Sequence, residues 1–401
     1  MRLGPPRRFL LAAFGDPGHA FPAIALGRAL VARGHTVCLQ TWSRWRDDVE
    51  REGMSFAPAP EYRVFPTRER PLKPYEAAVR AARETQPLLE AFAPDAVVVD
   101  ILTAAGALAA ELEGRPWVTL IPHILPTWEP GFPPYSTGAR LPRTALGEGL
   151  WRALEPILGL GVRRGREELN GARARVGLPP VAHEHGGISR RLALAATFPQ
   201  LEYPRPSRPP WARITGPLLW GRSSEDVELP QGDEPLILVA PSTSQDPQGR
   251  LLSAALTALA GEPVRVLGVF DPRRSEGAPR VPRNAMLVPW LPYARVMPRC
   301  AAVVCHAGHG TLVRTLASGA PVVACPAAGD MAENAARAAW AGAGVSLPRR
   351  FLTPSGVRLA VRRVLSEPRF GDRAGELARW AAVNDGGEVA AGELEGFCGQ
   401  R

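Results

Sequence analysis

Two turns in this sequence join histidine to glycine directly after an apolar run, and both have residue types that can do chemistry. The first is Phe14-Gly15-Asp16-Pro17-Gly18-His19, which closes the run Arg8–Phe14. A histidine there suits general-base work because its pKa lies near neutrality. It needs a partner to fix its tautomer and to stabilise the imidazolium. Asp100, the last residue of the strand-like run Ala96–Asp100, would emerge at the same sheet edge and gives a base with its orienting acid, aimed at an acceptor hydroxyl. The second turn is His306-Ala307-Gly308-His309-Gly310-Thr311, placed between the run Ala302–Cys305 and a helix-period segment. Glycines ahead of a helix let backbone N–H groups approach a phosphate, and the helix dipole favours its charge. His306 and Thr311 add side-chain donors, while the plainer reading is an ordinary helix cap on Thr311. Pro326-Ala327-Ala328-Gly329-Asp330-Met331 follows the next apolar run, and a carboxylate such as Asp330 can accept hydrogen bonds from sugar hydroxyls. A nicotinamide site is disfavoured: the first turn lacks G-x-G-x-x-G, and the second strand ends in Gln40-Thr41 with no acid to hold a ribose.

These turns need two frameworks to carry them. Apolar runs alternate with helix-period segments from end to end, the pattern of an α/β protein with parallel sheets. In the first half the strands read as Arg8–Phe14, Thr36–Thr41, Ala96–Asp100, Trp117–Ile121, Leu192–Thr197 and Arg213–Thr215. A Pro-rich passage from Tyr203 to Pro235 interrupts the rhythm. It then restarts with Leu236–Ala240, Val264–Phe270, Met286–Val288, Ala302–Cys305 and Val322–Cys325. The expected fold is two Rossmann-like, doubly wound α/β domains facing a central cleft. The boundaries are 1–217 for an N-terminal acceptor-binding domain, 218–235 for the linker, and 236–380 for a C-terminal nucleotide-sugar-binding domain. A helical segment, 381–401, is expected to pack back on the N-terminal domain.

Composition narrows the class. The 401 residues exceed one ordinary core, and 45% hydrophobic with 22% charged residues is the balance of a globular, soluble chain. No apolar run reaches a membrane span and the N-terminus does not read as an export signal. Five cysteines form no C-x-x-C pair, which argues against a disulfide framework or a zinc ribbon and for a cytoplasmic location. The net charge of +9 admits acidic ligands, nucleic acid or a phospholipid surface, or simply an Arg-rich solvated surface. No nucleic-acid motif accompanies it. The Pro- and Gly-rich stretch Pro122–Val176 reads as an irregular excursion that shapes a pocket or lid, with His123, Trp128 and Trp151 as candidate acceptor contacts. Its residues Trp151, Leu154, Ile157 and Leu158 also allow peripheral membrane contact, but an amphipathic stretch is more often core. His183-Glu184-His185 has H-x-H spacing without further ligands nearby, so no metal site is expected.

The stretch from Trp290-Leu291-Pro292-Tyr293 through His306–Thr311 and Pro321 to Asp330-Met331-Ala332-Glu333-Asn334 resembles the donor-binding signature of the UDP-glycosyltransferase superfamily, glycosyltransferase family 1. Gly15–Pro22 is similar to that family's N-terminal turn, and Thr215-Gly216-Pro217 to its motif before the linker. The flavour is that of bacterial members that decorate natural products. The resemblance implies a GT-B fold, no metal or cofactor beyond a UDP- or dTDP-sugar co-substrate, and inversion at the anomeric carbon. It also implies roles: His19 as base, Asp100 as its partner, Trp290 and Leu291 at the nucleobase. His306, Gly308, His309, Gly310 and Thr311 would lie at the diphosphate, Ser242 and Thr243 beside it, and Asp330 with Met331 at the sugar. Three positions depart from the family. Arg314 stands where an acid commonly binds ribose, Met331 replaces a Gln that reads sugar hydroxyls, and Tyr293 replaces the Gln of W-x-P-Q. The missing polar readers fit a less hydroxylated donor such as a deoxysugar. A nucleotide-sugar epimerase or hydrolase of the same fold, or an auxiliary partner of a transferase, are the alternatives. Acceptor identity and oligomeric state are not legible.

Overall fold

The computed structural model describes residues 5–59, 76–183, 187–206, 208–222, 227–242, 246, 248–272 and 279–399. Its first sheet comprises β1 (Arg8–Ala12), β2 (Thr36–Thr41), β3 (Ser55–Pro58), β4 (Ala96–Asp100), β5 (Trp117–Ile121), β6 (Ala193–Ala195) and β7 (Ala212–Ile214). All pairings are parallel, in the order β3-β2-β1-β4-β5-β6-β7. Its helices are α1 (Pro17–Ala32), α2 (Arg46–Arg51), α3 (Glu76–Phe92), α4 (Ala104–Leu112) and α5 (Ala145–Arg175). The second sheet comprises β8 (Leu236–Ala240), β9 (Arg265–Val269), β10 (Ala285–Val288), β11 (Ala302–Cys305), β12 (Val322–Ala324) and β13 (Gly344–Ser346), parallel in the order β10-β9-β8-β11-β12-β13. Around it lie α6 (Arg250–Leu259), α7 (Tyr293–Val296), α8 (His309–Ala317), α9 (Met331–Trp340), α10 (Pro354–Ser366) and α11 (Pro368–Val383), while the last helix, α12 (Gly386–Gly399), packs in the core of the first half.

Both sheets are covered on each face, which is why their central strands read as unbroken apolar runs; β4 and β8 are buried at every position. In each sheet the strand order reverses once, between β1 and β4 in the first and between β8 and β11 in the second. Diverging connections leave an open crevice there at the carboxyl ends, so side chains that follow those strands face a ligand rather than a helix. His19 and Asp100 follow or end β1 and β4, and His306 follows β11.

The stretch Pro122–Val176 is only partly the irregular excursion that its composition suggests. It is a loop to residue 144 and then a 31-residue helix, α5. The Thr144 hydroxyl accepts from the Gly147 N–H to start that helix, which continues through Pro156. The edge strands β3 and β13 and the helices α2 and α4 were not visible in the sequence pattern either.

The halves are bound by more than a linker. Phe198 and Leu201, just after β6, are buried in one cluster with Leu312, Leu316, Ala335 and Leu377 of the second half. Helix α12 returns to α1, where Arg33 forms ion pairs with Glu388 at 2.7 Å and Glu395 at 2.6 Å, and His35 meets Glu395 at 2.8 Å. No helix among the described residues is long and apolar enough to cross a membrane.

Candidate active site between the two sheets

Helix α1 opens at Pro17, whose missing N–H costs nothing in a first turn and whose φ is already helical. That start carries His19 in the first turn, above the end of β1. Its Nδ1 lies 2.8 Å from Asp100 Oδ2. Asp100 is buried, and its other oxygen accepts the Leu102 backbone N–H at 2.8 Å, so the carboxylate is satisfied and fixed. A carboxylate can only accept, so Nδ1 carries the proton and Nε2 is left with a lone pair. Burial disfavours a charged His19, yet Asp100, with help from Asp16 and Asp330, outweighs it and raises the pKa above the ordinary value.

At the second switch point His306 leaves β11 and its Nδ1 reaches the carbonyl oxygen of Ala240, the last residue of β8, at 3.2 Å. Burial lowers its pKa, against the opposing pull of the Ala240 carbonyl, Asp330 and Asp246. The next residue, Ala307, has φ of +62°, a left-handed conformation that aims the chain into α8. Gly308 is the N-cap of α8 and no side chain caps that helix, so Thr311 does not serve as the ordinary cap. The first-turn amides, including those of His309, Gly310 and Thr311, therefore face the cleft end as a ready anion site.

Asp330 closes the arrangement at the start of α9. Its charge bears on His19, His123, His306 and His309, two of them from each half of the chain. His123 Nδ1 donates to the Ile124 carbonyl oxygen at 2.8 Å, its ring stacks on Tyr135, and burial lowers its pKa. His309 is not open to the cleft mouth. It is buried with Nδ1 3.3 Å from Asn334 Oδ1, and burial, reinforced by the His123 ring, pushes its pKa down to about 4.

The sequence reading missed Asn334 as a functional residue. Its amide nitrogen donates to the Ala307 carbonyl at 3.0 Å and to Asp330 Oδ2 at 3.3 Å, so it ties the left-handed turn to the Asp330 carboxylate. Its place four residues after Asp330, one helical turn on, was the available signal. The reading also missed a buried ionic group spanning both halves. Arg337 of α9 donates to Glu333 at 2.8 Å and lies 3.7 Å from Glu202, which accepts the Leu125 N–H at 2.7 Å. The loop holding His123 is thereby fixed against the helix that begins at Asp330. Gly138, with φ of +64°, presses on α9 as well: a Cβ there would stand 2.6 Å from that of Ala332.

The other expected positions are placed as follows. Trp290 is half exposed after β10, while Leu291 is buried. Ser242 is buried beyond the end of β8; Thr243 lies outside the described residues. Met331 packs into the cluster that holds Leu312 and Phe198. Trp128 is half-buried on the His123 loop, and Trp151 is half-buried in α5. Arg314 donates instead to the Trp220 carbonyl in the linker, so its charge serves the join between halves. Tyr293 is partly buried in the core under β8 and β11. His183 lines a cavity beside Trp117 and Arg190, away from the cleft, and Glu184 and His185 lie outside the described residues.

Comparison with known proteins decides the class. Residues 251–394 match the family model for the erythromycin biosynthesis protein CIII-like C-terminal domain, and residues 9–116 that for the glycosyltransferase family 28 N-terminal domain. The 4'-demethylrebeccamycin synthase of Lentzea aerocolonigenes is 30% identical over 97% of this chain and 99% of its own. The chain belongs to the family 1 glycosyltransferases of natural-product biosynthesis. It is an enzyme that depends on a nucleotide-diphosphate sugar. The O-mycaminosyltylonolide 6-deoxyallosyltransferase of Streptomyces fradiae is likewise 30% identical, over 97% of each chain. Among solved structures, the glycosyltransferase of kitacinnamycin superposes with a TM-score of 0.76 at 21% identity, covering 98% of this chain and 99% of that one. The glycosyltransferase VinC, solved in complex with dTDP, gives 0.70 at 20% identity over 98% and 100%. At these identities the likeness shows the GT-B fold.

Proposed function

We propose that this glycosyltransferase inverts the anomeric carbon without a metal, moving a deoxysugar from dTDP, with UDP as the other candidate carrier, to a hydroxyl of a small natural-product-like acceptor. The observation that carries the reading is the 2.8 Å contact of His19 Nδ1 with buried Asp100, at the switch point that faces Asp330 of the other half. His19 Nε2 takes the proton of the acceptor hydroxyl as its oxygen bonds to the anomeric carbon and the bond to the diphosphate breaks. Asp100 stabilises the imidazolium that results.

Charge growing on the leaving diphosphate falls on the uncapped amides of α8, with Thr311 and His306 beside them; Ser242 and Thr243 are the further donor-phosphate candidates. The preorganised dipole supplies stabilisation that a metal supplies elsewhere. Asp330 receives sugar hydroxyls, with apolar Met331 at its side favouring a donor that lacks one. The Streptomyces fradiae relative is named for a 6-deoxy sugar and VinC was solved with dTDP, which supports that preference. Trp290 offers a half-exposed indole face to the nucleobase, next to Leu291. Residues 1–217 supply the acceptor pocket through His123, Trp128 and Trp151, and residues 236–380 the donor site. All five cysteines are buried and none is in a disulfide, in keeping with a reducing, cytoplasmic setting.

The test pairs a nucleotide-sugar screen by thermal shift with a transfer assay of His19→Ala. Transfer should fall by about 10³-fold while donor affinity stays within roughly threefold of wild type. Preserved transfer with lost donor affinity would overturn the role of His19. Stronger stabilisation by UDP-glucose than by dTDP-deoxysugars would overturn the donor preference.

A further inference from the structure

The His306 ring has fewer protons to offer than its position demands. A neutral imidazole carries one N–H. Here Nδ1 lies 3.2 Å from the Ala240 carbonyl oxygen, a group that can only accept, so the single proton is already committed. The backbone N–H of His306 points to the same oxygen at 3.4 Å, which fixes the turn from both sides. The opposite edge of the ring lies over the start of α8: a Cβ at Gly308 would stand 2.3 Å from Nε2. In the free protein Nε2 therefore presents a lone pair to the place where a phosphate oxygen would bring another, and two acceptors cannot bond.

We propose that His306 binds the donor diphosphate as an imidazolium, so that each nucleotide sugar enters with one proton drawn from solvent onto Nε2. The inference rests on the reading of this turn as the diphosphate site. The new N–H forms at Nε2, hydrogen-bonds to a phosphate oxygen, and is returned to solvent when the nucleoside diphosphate leaves. The ring starts neutral because burial holds its pKa down. Among the described residues, two charged groups face it: Asp330 from the turn before α9 and Asp246 from the connection between β8 and α6. Both favour protonation, yet they do not overcome burial. A diphosphate acts in the same direction at hydrogen-bond distance and adds to them. Ala240 and Ser242 at the end of β8, and Gly308 in its own turn, bring no charge. The consequence is an opposition of pH demands within one cleft: His19 must lose a proton to act as base, whereas His306 must gain one to hold the donor.

The experiment is titration calorimetry of the whole protein with dTDP-glucose and with UDP-glucose. Their phosphates are fully ionised near neutral pH, so the ligand supplies no proton. Measured in buffers of different ionisation enthalpy, wild type should take up about one proton per nucleotide sugar bound. Affinity should weaken about tenfold per pH unit between the ring's pKa in the free protein and its higher pKa in the complex, and level off above that. His306→Gln, which keeps an amide donor, should bind without proton uptake. Spectra of wild type labelled with ¹⁵N-histidine give an independent reading. His306 should carry a proton on Nδ1 alone when free and on both nitrogens when bound. Binding without uptake, uptake unchanged in His306→Gln, or an Nε2-protonated ring in the free protein would each overturn the inference and leave the diphosphate site standing. Absence of any binding heat and any spectral change would defeat the site itself.

Discussion

At the switch point of the first sheet a histidine that follows β1 is tied to a carboxylate at the end of β4. At that of the second, a histidine that follows β11 is tied to a carbonyl at the end of β8. Topology and ring orientation match: in both, Nδ1 is anchored across the gap and Nε2 is left for the ligand. The partners differ in charge, and the pKa values part accordingly, raised at His19 and lowered at His306, although burial acts against the charged form of both. A full negative charge at hydrogen-bond distance outweighs desolvation, and a carbonyl dipole does not. The fold supplies two equivalent crevices, and one residue across each decides which way its histidine's pKa moves.

Replacing Asp100 by Asn attacks that distinction most directly and should have the largest effect. The amide can turn its N–H toward Nδ1, which forces the proton onto Nε2 and leaves no lone pair for the acceptor hydroxyl. Transfer should fall roughly 10³- to 10⁴-fold. With the carboxylate gone, burial is opposed only by the smaller pulls of Asp16 and Asp330, so the ring's pKa falls from its raised value. The rise of kcat/KM with pH, which in wild type lies above the ordinary histidine value because the base must be deprotonated, then moves to lower pH. A variant with reduced rate but an unmoved pH limb would show that Asp100 orients His19 without setting its charge.

Gly308→Ala tests the second crevice and should have an intermediate effect. The added methyl meets His306 Nε2 at 2.3 Å, and the ring is the movable partner, so it must swing off the Ala240 carbonyl. Loss of that anchor should weaken nucleotide-sugar binding about tenfold, the equivalent of one charge-assisted hydrogen bond. The base limb of the pH profile should not move. If donor affinity were unchanged, ring placement over the helix start would be irrelevant to the donor.

Both crevices were legible in the sequence because each combines local features: an apolar run, a glycine-containing turn and a helix start. The His19–Asp100 pairing spans 81 residues, yet it could be read because both strand ends fall at the same edge of one sheet. What escaped depends on partners that no local pattern specifies. Glu333 and Arg337 look like a solvent-facing pair one helical turn apart, but they are buried against Glu202 from the other half of the chain. The edge strand β3 buries only one of its four residues, and β13 is Gly344-Val345-Ser346, so neither carries an apolar run. Glycines along α5 masked a helix whose N-terminal part stays largely exposed and whose buried contacts, at Leu169, Ala172 and Arg173, come near its far end. Ala307 escaped for a further reason: a left-handed turn announces itself as Gly or Asn, and here it is held in a residue that resists it.

That residue gives the smallest and most discriminating change. Ala307→Gly relieves about 1 kcal/mol of left-handed strain. It also removes a fully buried methyl packed in the cluster with Leu312 and Val313, worth about 0.8 kcal/mol, and gives the unfolded chain more freedom, worth up to about 1 kcal/mol. The terms nearly cancel, so the melting temperature should shift by no more than about 3 °C. The turn itself should persist, because Asn334 still donates to the residue 307 carbonyl at 3.0 Å and that bond involves no side chain of the replaced residue. Donor affinity should accordingly stay within about twofold of wild type, well under the tenfold step that a lost hydrogen bond to a charged group would produce. A large loss of affinity in a stably folded Gly variant would mean that methyl packing, and not the Asn334 amide, shapes the phosphate turn. The second crevice would then be set by its core, whereas the first is set by a single carboxylate.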